Sequence, residues 1–333
     1  MQNAMTLGEL HTPALLVDAA VLATNLCTLE SALPGSRLRP HVKAHKCTAL
    51  ARRQAAAGAR SFTCATVREV EGLASAGLGD DLLLANEVLD ATRLGRLRDV
   101  ARITVAVDSE ATIDAAARGA VREVLIDVDV GLPRCGCRPA DAGRLATHAR
   151  SRGLLVRGVM GYEGHVMLLP ERAARAAGTA EAMRLLLAAH ADVGGEVISA
   201  GGTGTWDLNT WATEIQAGSY ALMDTAYARL DLPFRQALSV LATVISVSPR
   251  HAVADCGLKA LGMDHGNPAV DGATVLFCSD EHVTFVPTTA VRPGDRIRLW
   301  PAHVDPTVAY HSQLHVVEGD RVLESWPVDL RGW

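Results

Sequence analysis

From about residue 20 to residue 235 the chain alternates short apolar and β-branched runs with longer Ala/Leu/Arg-rich segments whose apolar positions return every three or four residues. An apolar run without alternation suits a strand buried on both faces, and the 3.6-residue period between runs suits helices packed over it. The pattern therefore predicts βα units around a parallel sheet. Eight candidate strands stand near residues 37–40, 61–64, 81–85, 103–107, 123–130, 154–160, 196–200 and 213–216. Connecting segments such as "DAGRLATHARSRG" end at glycine, as helices commonly do. The expected fold is α/β: a (β/α)8 TIM barrel over residues 19–235, ahead of an open doubly wound sheet.

Past residue 236 the texture changes. Turn signals at Asp271-Gly272, Pro293-Gly294-Asp295 and Glu318-Gly319-Asp320 separate runs such as "TVLFCS" and "RIRLW", and no long helical pattern remains. Residues 236–333 read as a C-terminal antiparallel β domain. "TPALLVD" at 12–18 is one further strand that could pair with either region; the expected organisation groups residues 1–18 with the β domain.

Composition narrows the partners. A chain of 333 residues, 49% hydrophobic, can bury a large core, and a net charge of −5 without a basic tract argues against nucleic acid and anionic membranes. No uninterrupted apolar stretch approaches the ~18 residues of a membrane span. The first ten residues lack the basic start and apolar core of a secretion signal, and seven scattered cysteines fit reduced thiols, so a cytoplasmic setting is expected. Cys135 and Cys137 lack a partner pair at zinc-site spacing and read as small packing residues. A small-molecule ligand is the default.

Lysine usage gives that ligand a chemistry. Among 32 lysines and arginines, lysine stands only at positions 43, 46 and 259, two of them within "RPHVKAHK" after the first strand. Arginine solvates a surface as well but does not deprotonate near neutral pH, so a spared lysine suggests amine chemistry. In a (β/α)8 barrel the active site forms at the C-terminal ends of the strands. There the sequence places Lys43, His45 and Lys46; Asp127, Asp129 and Arg134; Tyr162, Glu163 and His165; then "SAGGTGTWD" and "AGSY". Glycine-rich loops after strands seven and eight often bind phosphate through free N–H groups. A mononucleotide or a sugar phosphate would satisfy such loops. A phosphate cradle facing a spared lysine points more specifically to pyridoxal 5'-phosphate (PLP), whose aldehyde needs an amine.

Taken in order, "TPALLVD", "RPHVKAHK", "DVDVGLPRCG", "GYEGH", "SAGGTGT", "EIQAGSYALMD", "DCGLKALGMDHGNP", "SDEHV" and "HVDPTVAYH" resemble the D-threonine aldolase and D-serine dehydratase group of the fold-type III, alanine racemase-like PLP enzymes. The resemblance covers nearly the whole chain. It implies that Lys43 binds the cofactor's aldehyde, that Arg134 faces its phenolate oxygen, and that Tyr162 lies against its ring. Gly202, Thr203, Gly218 and Ser219 would hold the phosphate, with Tyr220 beside them. It also implies a homodimer.

In "PAHVDPT", His303 and Asp305 at i and i+2 of a strand would share one face and bind one cation. The dehydratase branch resembles His-x-Cys here, whereas Asp305 supplies a hard oxygen that suits Mn²⁺ or Mg²⁺ over Zn²⁺. That favours the aldolase branch: cleavage of a D-β-hydroxy-α-amino acid to glycine and an aldehyde, with a D-serine-type dehydratase or a racemase as alternatives. The chain departs from the group at Ala309 and in the segment after Tyr162, where many aldolases carry a further histidine. His165 is the candidate base, with His45 and a hydroxide at the metal as rivals. Asp255, Lys259, Asp264 and His265 are expected on the substrate side, and His282 behind the metal strand.

Overall fold

The expected strand at 12–18 forms as β1 (Ala14–Asp18). The computed structural model describes residues 5–333, so the first four positions of the N-terminal segment lie outside the described residues. The chain divides into two units that interleave along the sequence. Leu29–Lys43, Leu50–Gly218 and Leu330–Trp333 make one; the residues up to Thr28, with Ala44–Ala49 and Ser219–Asp329, make the other.

In the first unit the apolar runs become β2 (Phe62–Cys64), β3 (Leu82–Leu84), β4 (Ile103–Val107), β5 (Glu123–Asp127), β6 (Leu155–Met160), β7 (Val197–Ala200) and β8 (Glu214–Ile215). Each pairs in parallel with the next in sequence order. The expected first strand closes the ring through single bridges, Leu38 to Ile215 and His41 to Thr63, both parallel. There the Arg39 N–H donates to the Ile215 carbonyl at 3.0 Å and the Thr63 N–H to the Pro40 carbonyl at 2.9 Å. Inside, Leu83, Ala106, Leu125, Met160 and Val197, one from each of β3 to β7, form a core cluster.

The fifth strand is shorter than its apolar run. Beyond Asp127 the chain folds back, and Cys137 exchanges backbone hydrogen bonds of 2.9 Å with Asp127 and Asp129. Val128 still donates its N–H to the Met160 carbonyl of β6 at 2.8 Å, while Asp129 turns to Cys137 in the loop that carries Arg134.

The strands' N-terminal ends are tied by charge. Arg39 pairs with Asp81 at 2.9 Å and Glu214 at 2.8 Å; Arg157 pairs with Asp81 at 3.1 Å and Glu196 at 3.0 Å. Arg157 also donates to the Thr104 hydroxyl at 2.8 Å.

The second unit is a sheet built on β9 (Leu238–Val247), β10 (Ala252–Ala254), β11 (Ala269–Val270), β12 (Ala273–Cys278), β13 (Val283–Pro287), β14 (Arg296–Trp300), β15 (Gln313–Glu318) and β16 (Arg321–Pro327). It runs β10-β13-β12-β11-β14-β9-β1-β15-β16, and β10 also pairs with β9, closing a ring. β1 lies antiparallel to β9 and parallel to β15, which settles where the N-terminal strand belongs. Leu7, Leu10, Leu16, Leu241 and Val317 pack together around it. One expectation is corrected here. "HVDPTVAY" is not a strand: His303 is the N-cap of a helix, Val304–Tyr310. Pro306 sits in the helix's first turn, where its missing N–H costs no hydrogen bond.

Glu30, in the helix Ala19–Ala32, is buried with one carboxyl oxygen lacking a hydrogen-bond partner. Burial pushes its carboxyl up to about 7. Below the unfolded value both states are protonated and nothing is lost. As pH rises from about 4.5 to about 7 the unfolded chain releases a proton that the native state keeps, so stability falls, and the loss is complete above about 7. Glu30→Gln is therefore expected to stabilise the protein at pH 8 by about 1–2 kcal/mol, an amount reduced for partial solvent access, and by clearly less at pH 5. Urea unfolding at the two pH values tests this; an equal gain at both would refute it.

Candidate active site

The short turn Val42–Ala44 carries Lys43 off the end of the closing segment, with the Lys43 N–H directed at His41 Nδ1 at 3.4 Å. The Lys43 amine stands 5.8 Å from the centroid of the Tyr162 ring, and the Arg134 guanidinium carbon stands 5.5 Å from the same centroid. Three residues expected from strands one, five and six are thus brought together. Each cation–π contact is worth only ~0.5–1 kcal/mol at an accessible site, so the ring serves as a platform more than as a source of stability.

The loop after β7 is buried through Gly201–Thr205. Gly201 takes a φ of +79°, and a Cβ on Gly204 would lie 2.1 Å from the Met167 carbonyl oxygen, so the backbone must pass where only glycine fits. Underneath is Glu163, which is buried. Its carboxylate accepts from the Gly201 N–H at 3.0 Å, the Thr205 hydroxyl at 2.9 Å and the Asn209 amide at 3.1 Å. The Gly202 N–H reaches the Thr205 hydroxyl at 3.3 Å. Neither the role of Glu163 nor Asn209 was legible in the sequence; the one local signal is a carboxylate directly after the platform tyrosine. Gly218 ends the barrel unit's longest segment, and Ser219 and Tyr220 open the next segment of the other unit, where Tyr220 packs edge-on against Phe234 at 5.8 Å.

Around the Arg134 loop lies an acidic group. Burial, then the Glu87 and Asp108 carboxylates, push the Asp127 carboxyl well above its ordinary value, against the pull of Arg134. Burial raises the Cys135 thiol to about 11 and the Cys137 thiol to about 12. Both thiols stay protonated near neutrality, as suits packing residues. The His165 ring is exposed and lies over Gly131, where an added Cβ would come within 2.8 Å of it. His45 is buried, and its Nδ1 accepts from the Cys47 N–H at 3.2 Å. Lys46 takes a left-handed φ of 46°, uncommon for any residue but glycine.

In the β unit, His303 and Asp305 come together although they share a helix start and not a strand: Nε2 lies 3.7 Å from an Asp305 carboxylate oxygen. Buried Asp224 holds that start, accepting from the Val304 N–H at 2.9 Å and from the Tyr227 N–H at 2.9 Å. Asp264 and His265 join the group; Asp264 lies 2.7 Å from His303 Nδ1, and the His265 ring stacks on the His303 ring at 4.0 Å. Partial burial works to raise the Asp264 carboxyl, but His303 outweighs it and holds the carboxyl below its usual value. Three other expected neighbours have different work. Asp255 accepts from the Thr12 hydroxyl at 2.5 Å and the Thr243 N–H at 2.7 Å, bracing the N-terminal segment. Lys259 pairs with Glu281 on the surface at 2.8 Å, and His282 is exposed in a turn.

A lysine and an arginine thus stand over a tyrosine face at the mouth of a (β/α)8 barrel, with a buried glycine loop at the next strand end. The chain belongs to the family described as alanine racemase, N-terminal domain, which matches residues 17–225; a putative serine dehydratase domain matches residues 237–317. It is 36% identical to a D-threonine aldolase of an Arthrobacter species, over 98% of this chain and 94% of the relative. It is 31% identical to a 3-hydroxy-D-aspartate aldolase of Paracoccus denitrificans, over 98% and 93%. The solved D-threonine aldolase of Filomicrobium marinum superposes with a TM-score of 0.92 at 34% identity, over 98% of this chain and 97% of that one. The residues present fit PLP: an accessible amine, a cation, an aromatic face and a glycine loop. They also fit a divalent cation, through an imidazole and a carboxylate at a separation one ion can span.

Glu163→Gln tests the loop's support. The three donors that meet at the carboxylate cannot all be accepted by an amide, so the substitution is expected to leave a donor unmatched at a cost of about 1–3 kcal/mol and to weaken PLP binding about tenfold or more. Absorbance titration of the cofactor measures it. Unchanged affinity would reduce Glu163 to a packing role.

Proposed function

We propose that this protein is a PLP- and divalent metal-dependent carbon–carbon lyase that cleaves D-β-hydroxy-α-amino acids to glycine and an aldehyde. The observation that carries the reading is the pairing of His303 with a carboxylate, Asp305, in a chain whose barrel presents Lys43 and Arg134 to the Tyr162 face. An imidazole–oxygen pair suits a hard cation, so Mn²⁺ or Mg²⁺ is favoured over Zn²⁺.

Lys43 would hold the cofactor's aldehyde through its amine. Tyr162 would support the ring, Arg134 would face its phenolate oxygen, and Gly202, Thr203, Gly218 and Ser219, with Tyr220, would hold the phosphate. PLP, when bound, would supply an electron sink for Cα–Cβ cleavage, and His303 and Asp305 would hold the cation that lowers the pKa of the β-hydroxyl. His165 is the better proton acceptor, because its ring is exposed whereas His45 is buried with Nδ1 engaged. The protein works as a cytoplasmic homodimer in this reading. No helix among the described residues is long and apolar enough to cross a membrane.

The second reading is a dehydratase, favoured by the match to the putative serine dehydratase domain at residues 237–317. It loses ground because Asp305 stands where a thiolate is expected. A racemase would need two opposed acid/base groups.

Incubation with D-threonine and 3-hydroxy-D-aspartate separates the two. Glycine and an aldehyde are expected; ammonia and a 2-oxo acid would sink the aldolase. Borohydride is expected to fix the cofactor to Lys43. His303→Ala and Asp305→Ala are expected to keep the cofactor's absorbance while turnover falls by about two orders of magnitude or more, as loss of Lewis-acid assistance worth several kcal/mol implies.

A further inference from the structure

We propose that Asp264 is the positioning residue for the metal ligand His303: it accepts the Nδ1 proton, fixes the ring's tautomer and turns Nε2 toward the cation. This rests on the metal site proposed above. The ring has two nitrogens with different neighbours. Nδ1 lies 2.7 Å from Asp264 and Nε2 lies 3.7 Å from Asp305. Two adjacent ligands on an octahedral ion with bonds of ~2.1 Å stand ~3.0 Å apart, and opposite ligands ~4.2 Å. On a tetrahedral ion the spacing is ~3.4 Å. The Nε2–Asp305 separation of 3.7 Å lies nearest the tetrahedral spacing and between the two octahedral ones, so a small shift of either side chain brings both onto one ion. The Nδ1–Asp264 separation is shorter than any of these and is a hydrogen bond.

An alternative would place the ion at Nδ1, because donor atoms of Asp264, His265 and His303 all lie within 4.8 Å of one another. Ring geometry opposes it. An imidazole lone pair lies in the ring plane, and the two rings are stacked 4.0 Å apart at an interplanar angle of 12°. Near-parallel planes do not aim both lone pairs at one ion, so His265 acts as a clamp on the face of His303 and not as its fellow ligand.

The placement of Asp264 is built into the backbone. Gly262 forms an antiparallel bridge with His303, and its N–H donates to the Thr307 hydroxyl at 2.8 Å. That hydroxyl donates in turn to the His303 carbonyl at 2.7 Å. A Cβ on Gly262 would lie 2.4 Å from Pro306 Cγ, so the loop approaches the helix start as closely as glycine permits. Two residues on, Asp264 meets the imidazole.

The test is Mn²⁺ binding by PLP-loaded protein, followed by the electron paramagnetic resonance signal of free Mn²⁺. Loss of a carboxylate behind a ligating histidine typically weakens metal binding 10–100-fold, and Asp264 is 57% exposed, so the lower end applies. Asp264→Ala is expected to bind Mn²⁺ about tenfold more weakly, Asp264→Asn, which keeps an acceptor, to fall between it and the parent, and His303→Ala to lose binding. Nitrogen-15 spectra of the metal-free protein are expected to show His303 as the Nδ1–H tautomer, and Asp264→Ala to lose that preference. Parent-like affinity and tautomer in Asp264→Ala, with binding lost in His303→Ala, would overturn this inference alone. Loss in Asp264→Ala as complete as in His303→Ala would make Asp264 a ligand and also overturn it. Parent-like binding in His303→Ala would overturn the metal site itself.

Discussion

The barrel is closed by a segment too short to be a strand, and two arginines make that closure hold. Residues 38–41 contribute single bridges on either side, so ladder hydrogen bonds alone specify their register weakly. Arg39 supplies what the ladder lacks by reaching Asp81 and Glu214, which lie beside β3 and β8. Taking a guanidinium out of water costs several kcal/mol, and that cost is recovered only where carboxylates meet it in good geometry. Any slip of the segment would leave Arg39 buried and unpaired. The lysine of the site lies four residues further on, so its position is inherited from a charge network at the strands' other ends.

A parallel barrel announces itself in sequence because its strands are apolar at every position and its helices keep a different period. The eight runs were legible for that reason, and β5 came out shorter because Cys137 takes up its backbone groups locally. The "HVD" motif misled. An i, i+2 pair also meets at a helix start, and Pro306 was the sign that the helix begins there. The scarcity of lysine singled out Lys43, and the fold brings its amine to the Tyr162 ring. The roles of Glu163 and Asp264 were not legible: they depend on partners 38 to 46 residues away in the first case and 39 in the second, and no local pattern encodes such meetings.

Glu163 poses an electrostatic problem that its hydrogen bonds explain. A buried carboxylate beneath the Gly201–Thr205 loop would work against an anion bound there, yet it draws in the Gly201 N–H, the Thr205 hydroxyl and the Asn209 amide. The loop is therefore held in place by its own hydrogen bonds, which lowers the entropy that ordering its glycines would cost a ligand.

The interleaving of the two units bears on how such a protein can change over generations. The chain passes from one unit to the other after Thr28, Lys43, Ala49, Gly218 and Asp329. A single genetic crossover therefore cannot deliver either unit whole. Even a crossover after Gly218 would set the residues up to Thr28 and Ala44–Ala49 from one parent beside Ser219–Asp329 from the other, so a hybrid must reconcile two sequences inside one hydrophobic core.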